Sequence, residues 1–195
     1  MRIATALCSL LAASCLVHAD PSIEKFAMKS VKARTLELKI PATWKTVATT
    51  SKMRAAQFAI PHDSGDADMV VFYFGGPTGG VKANVDRWIG QFDDKDRKLE
   101  MFQGKCTAGR YILVDTIGTW NKPDGPPFAQ KKIATPGSRV LNVIVIEKKD
   151  GNEDYYFIKL SGSQDVVTKQ TETLRKVIGA DIKTEKPFDL KDAPN

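Results

Sequence analysis

Two apolar runs, RVLNVIVIE at 139–147 and YYFIKL at 155–160, flank the segment KKDGNED. β-branched and aromatic residues suit a pleated surface, and Asp150 followed by Gly151 is strong chemistry for a tight chain reversal. The pattern predicts a long antiparallel hairpin. A hairpin of this length needs a sheet around it, and the rest of the chain supplies strands. TLELKI (35–40) alternates at period two, with Leu36, Leu38 and Ile40 on one face before Pro41 stops the ladder. RAAQFAI repeats the alternation through Ala56, Phe58 and Ile60, and MVVFYF (69–74) reads as a central strand. Connections at 49–52 and 62–68 are short and polar, which favours antiparallel pairing of these three strands. Further strands are predicted at 99–103 and 110–117.

Two segments carry helical periodicity. Val85, Trp88, Ile89 and Phe92 fall at i, i+3, i+4 and i+7, with Asn84 as a cap. From Gln164 to Ile178 the shared face is Val167, Gln170, Thr171, Leu174 and Ile178. Ser161 or Ser163 can cap this helix, and Gly179 can close it in the left-handed conformation. Between the strands, NKPDGPPF is expected to interrupt regular structure. The reading is one α+β domain over residues 20–180, an antiparallel β-sheet flanked by helices, followed by a polar C-terminal tail at 181–195.

Residues 1–19 have one arginine, an apolar stretch from Ile3 to Val17 and small residues before Asp20, which is the organisation of a secretory signal. Cleavage after Ala19 gives a secreted or periplasmic protein. The alternative is cleavage before Cys15, where LAASC approximates a lipobox and the cysteine becomes a lipid anchor to the cell envelope. No later stretch approaches the ~20 apolar residues of a membrane-crossing helix. Of the three cysteines, Cys8 and Cys15 lie in the signal, leaving Cys106 without an intramolecular partner. The formal charge of +6 is spread diffusely and implies no nucleic acid partner.

The first strand leading into Pro41-Ala42-Thr43-Trp44, the strand ending Phe58-Ala59-Ile60-Pro61, the VVFYFGG strand and the ANVDRWIGQF helix resemble exported bacterial proteins with the PsbP-like fold. The closing YYFIKLSGSQDVVTKQTETLRKVIG fits the same pattern. That fold is shared with the Mog family of Ran-binding proteins. The resemblance covers 36–179 in element order and implies a PsbP-like sandwich acting as a binding or assembly factor. It carries over no catalytic residue and no cofactor. It does not transfer the photosystem or Ran partners, because the segment 121–138 belongs to the exported bacterial group.

Tests for specific chemistry mostly fail on spacing. From Gly75 to Gly80 the glycines match a phosphate-binding loop, but Val81 stands where the lysine belongs and Lys82 comes one residue late. A weak anion site at Gly80 and Lys82 is the remaining expectation there. His62, Asp63, Asp66 and Asp68 cluster without the alternation of a calcium loop, so no metal is expected. Cys106 and His62 lie far apart in sequence, and no nucleophile elbow or zinc-type histidine pair occurs. The expected function is an exported, non-enzymatic binding or assembly module of the cell envelope with an unknown protein or ligand partner. The alternatives are an uncharacterised periplasmic hydrolase and a lipid-anchored structural lipoprotein. The segment 120–138 is the expected interaction surface, with Trp120 and Phe128 exposed among Lys131 and Lys132 on stiff proline-rich backbone.

Overall fold

Strand alternation sorts side chains onto two faces of one sheet, and a different helix covers each face. The computed structural model describes residues 27–49, 51–63, 65, 67–75, 79–125 and 131–193. The chain runs β1 (Met28–Ala33), β2 (Leu36–Pro41), β3 (Lys45–Thr46), β4 (Arg54–Ile60), β5 (Ala67–Tyr73), α1 (Gly80–Ile89), β6 (Lys98–Cys106), β7 (Gly109–Pro123), β8 (Lys132–Lys149), β9 (Asn152–Ser163), α2 (Gln164–Val177) and β10 (Ala180–Pro187). Among these residues, eight strands form one antiparallel sheet in the order β10-β6-β7-β8-β9-β5-β4-β3. The architecture is α+β, with no described helix long and apolar enough to cross a membrane.

The β8–β9 hairpin forms as its sequence dictates. Its ladder runs without a slip from Lys149↔Asn152 to Ser138↔Ser163, and Asp150 (φ 50°) and Gly151 (φ 81°) make the reversal. On one face of the sheet, Leu113, Val143, Ile158 and Val71 lie in successive strands and pack beneath Val166, Val167, Leu174 and Val177 of α2. On the other face, Ile112, Ile144 and Phe157 pack against Val81, Val85 and Trp88 of α1.

Several expectations need correction. β2 does not join β4; it folds back on the unforeseen β1 and lies on the α2 face, where Leu36, Leu38 and Ile40 are buried. Burial of an alternating strand's apolar face requires a covering layer, and it does not require membership of the main sheet. α1 begins at Gly80, five residues before its expected apolar face, so Asn84 is no cap: it lies inside the helix and donates to the Gly80 carbonyl at 2.7 Å. Phe92 falls beyond the helix and stacks on Trp120. Ser163 occupies the N-cap of α2 without a side-chain hydrogen bond, and Ser161 belongs to β9.

Strand reaches into both segments read as irregular. β7 and β8 form a paired arm that leads up to the proline-rich stretch, laddered from Gly109↔Glu147 to Pro123↔Lys132 with one register shift near Gly118. Pro123 ends β7 in the last pair of the ladder, and Pro136 falls at the register shift, outside the paired residues. Residues 181–187 are not a loose tail. They complete the edge strand β10, held by Arg175, which donates to both carboxylate oxygens of Glu185 at 2.8 Å, while the Tyr111 hydroxyl donates to the same carboxylate. Phe188 is then buried on the α1 face.

Candidate functional site

The register set by the Asp150-Gly151 turn places Asn142 of β8 directly opposite Lys159 of β9, and the row continues to Val114 on one side and Val70 on the other. Paired residues in a sheet point to the same face, so this polar pair lies among the apolar residues that α1 covers. α1 covers them incompletely. A cavity of about 530 Å³ opens beside it, lined by Arg87 and Trp88 of α1, Arg54 of β4, Phe72 and Phe74, Asn142, Phe157 and Lys159, with Met53 and Pro123 at its rim.

The charged residues in the described lining of this cavity are all cationic. The Lys159 ammonium lies 4.2 Å from the centre of the Trp120 ring, and Lys122 approaches the same ring at 5.9 Å. Arg87 donates to the Asn84 side-chain carbonyl at 2.8 Å, and Arg54 donates to Gln57 at 2.7 Å while lying over the Phe72 ring. Among the described residues none of these four cations forms an ion pair. Burial, with repulsion from Arg87 and Lys122, pushes the Lys159 ammonium down to about 8. The Asn142 side-chain carbonyl is fully buried and has no hydrogen-bond partner among the described residues; the Thr116 hydroxyl, one row away on the same face, is in the same condition. Such groups carry a desolvation cost that a ligand can relieve.

The apolar wall is ring-rich. Phe72 and Phe74 lie parallel with centroids 6.3 Å apart, Phe74 meets Phe157 at 5.6 Å, and Trp88 presents an edge contact to Phe157. Phe74 is 41% exposed and Met53 51%, which is unusual for large apolar side chains that share one concave surface.

A larger cavity of about 670 Å³ lies between Trp44, Ile60, Pro61 and α2. Its charged lining is mixed, with Asp63 facing Lys169 and Lys176, and Lys169 reaches His62 Nε2 at 3.3 Å. Asp63 offsets part of its positive charge, which no acidic group does in the described lining of the α1-side cavity.

The residues expected from sequence fare differently. Trp120 is not exposed: it is 5% accessible, donates its indole N–H to Gln91 at 3.2 Å and stacks on Phe92. The arm's strand pairing turns this ring inward over the sheet face, where alternation alone left it undecided. Lys131 is exposed and paired with Asp124, Lys132 is exposed, and Phe128 lies outside the described residues. Lys82 is tied to Asp86 at 2.7 Å along the outer face of α1 and lines neither cavity, and Gly80 begins the helix. Of the acidic cluster, Asp66 lies outside the described residues, and among the rest no group of three histidine, cysteine or acidic side chains is arranged to hold a metal ion. Cys106 is partly buried and its thiol is pushed up by that burial. Cys15 lies outside the described residues.

Lys159, Asn142, Arg54 and Arg87 were not singled out from sequence, although a signal existed. Asn142 and Lys159 each interrupt an apolar run, and counting back from the Asp150-Gly151 turn pairs them. Compared with known proteins, the chain matches no family model and no curated protein.

Proposed function

We propose that this chain is an exported, non-enzymatic binding module of the cell envelope, with a PsbP-like architecture, that holds an anionic ligand in the cavity beside α1. One observation carries the reading: Lys159, Arg87 and Arg54 line one concave surface, Lys122 lies close enough to repel Lys159, and no carboxylate among the described residues is paired to any of them. Like charges gathered in a low-dielectric cleft repel one another and raise the local concentration of anions, and a bound anion relieves the repulsion. The described lining offers cations, an amide and aromatic rings, groups suited to holding an anionic ligand. The signal-like residues 1–19 and the PsbP-like element order support the exported, binding character.

The test is calorimetric titration of the mature chain with organic and inorganic anions at low ionic strength, repeated with Lys159→Met. A ligand that binds the native state also raises the unfolding temperature, by an amount that grows with the logarithm of ligand concentration above Kd, which gives an independent readout. Binding that disappears in Lys159→Met supports the reading. If no anion binds or stabilises the protein, or if Lys159→Met binds as the wild type does, the cavity is not an anion site. Mass spectrometry of the exported protein's amino terminus decides between a free Asp20 and a lipid-modified Cys15.

A further inference from the structure

Resting on that anion-site reading, we infer that the ligand is an aromatic acid: a planar ring system joined to one acidic group and bound end-on along β9. The cavity is polar at one end and aromatic at the other, and the sheet register fixes the order. Lys159 and Asn142 form one row; the next row of the same face, two residues along the strands, is Ile144, Phe157, Phe72 and Arg54. Two strand residues span about 7 Å, so an acid group at Lys159 places the ligand's body on Phe157, Phe72 and Phe74.

The acidic end has both kinds of partner it needs. Lys159 supplies the charge, held against the Trp120 ring at 4.2 Å so that its direction is fixed. Asn142, opposite it, buries its side-chain carbonyl, and its amide N–H2 is the group it offers to an anion. Arg87, on α1, reaches the same cavity from above. The other end is built for a flat body. Phe72 and Phe74 are parallel within 3°, which leaves the face of the exposed Phe74 ring as an open stacking platform, and Trp88 and Phe157 stand edge-on to one another behind it. Ring against ring adds attraction beyond area burial, up to about tenfold in affinity per pair, which a linear alkyl chain does not gain. The exposed Met53 at the rim supplies a polarizable contact that tolerates different ring outlines.

Four probes are titrated into the mature protein: 1-naphthylacetate, its neutral amide, decanoate and inorganic phosphate. The expected order puts 1-naphthylacetate at least tenfold tighter than each of the other three. Phe74→Ala, at a position exposed enough to leave the fold intact by circular dichroism, is expected to weaken 1-naphthylacetate about tenfold and to leave phosphate binding unchanged. Decanoate binding as tightly as 1-naphthylacetate, or a Phe74→Ala protein that binds the aromatic acid normally, overturns the aromatic inference. If phosphate binds as tightly as the aromatic acid and Lys159→Met abolishes both, the anion site stands and the aromatic inference falls. Binding of no probe removes both.

Discussion

Asn142 and Lys159 face each other across the β8–β9 ladder, one with an unpaired side-chain carbonyl and the other with an ammonium that reaches a tryptophan ring and no carboxylate among the described residues. Two polar side chains in the middle of an apolar sheet face cost stability unless something repays it. Their neighbours Arg87 and Lys122 increase that cost for Lys159, which is the behaviour of a site held ready for an opposite charge.

The lowered Lys159 ammonium makes stability depend on pH in a definite sense. An unfolded lysine keeps its proton to about 10.4, whereas the folded one loses it near 8. Between those values the unfolded chain binds more protons, so stability rises with pH in that window, and the burden of the buried charge is fully present only below it. The wild type should gain up to about 2 kcal/mol relative to Lys159→Met between pH 7 and pH 9.5. The Cys106 thiol and the Tyr73 and Tyr155 hydroxyls are shifted upward and act in the opposite direction, so the quantity to measure is the difference between the two proteins in urea titrations. Parallel pH profiles would sink the assignment. Anion affinity should fall over the same range, as the ammonium is lost.

Trp120 holds the arm to the exit of α1 through the Gln91 hydrogen bond, the Phe92 stack and an isolated bridge between Phe92 and Trp120. Trp120→Ala should therefore cost roughly 3–5 kcal/mol in chemical denaturation, the range of a buried aromatic truncation. A loss below about 1 kcal/mol would place the ring outside the core.

Glu185 fastens β10 to α2 and to Tyr111. The Arg175 guanidinium hydrogen bonds hold its carboxyl below the usual carboxylate range against the opposing effect of burial, with the Tyr111 hydroxyl assisting. This contribution is present above the unfolded carboxylate value and is lost as pH falls through the lower folded value. Glu185→Gln should cost roughly 2–4 kcal/mol, because Arg175, only 9% exposed, is left with the solvent-exposed Glu172 at 3.6 Å as its one remaining carboxylate partner among the described residues. Hydrogen exchange should show β10 opening first; unchanged protection there would contradict the fastening role.

The glycine turn before α1 separates backbone from side-chain roles. Gly80 sits at φ 66°, a conformation that a β-branched residue adopts only with strain, so Gly80→Val should destabilise by roughly 2 kcal/mol. Lys82→Ala removes one exposed pair with Asp86 and should change stability by no more than about 0.5 kcal/mol, with anion binding unaffected. Loss of anion binding in Lys82→Ala would move the site to the helix start.

What the sequence determined by itself was local. Alternation in 36–40 and 54–60, the apolar run 139–147, the Asp150-Gly151 turn, and Gly179 at the end of α2 (φ 64°) each specify backbone geometry within a few residues, and each took the form its chemistry dictates. Tertiary structure decided what those elements meet. The pattern of TLELKI requires an apolar neighbour without saying whether it comes from a sheet partner or a covering layer, so β2 left the sheet for the α2 face. Trp120 is apolar and hydrogen-bonding at once; only strand pairing through the proline-rich arm turned it inward to Gln91 and Lys159. The candidate site is the extreme case. Arg54, Arg87, Asn142 and Lys159 come from three strands and a helix, and the shared positive charge of Arg54, Arg87 and Lys159 acquires meaning only once the sheet order places them around one cavity with nothing negative among its described lining. Electrostatic repulsion acts through space, and a linear sequence does not record which charges are close.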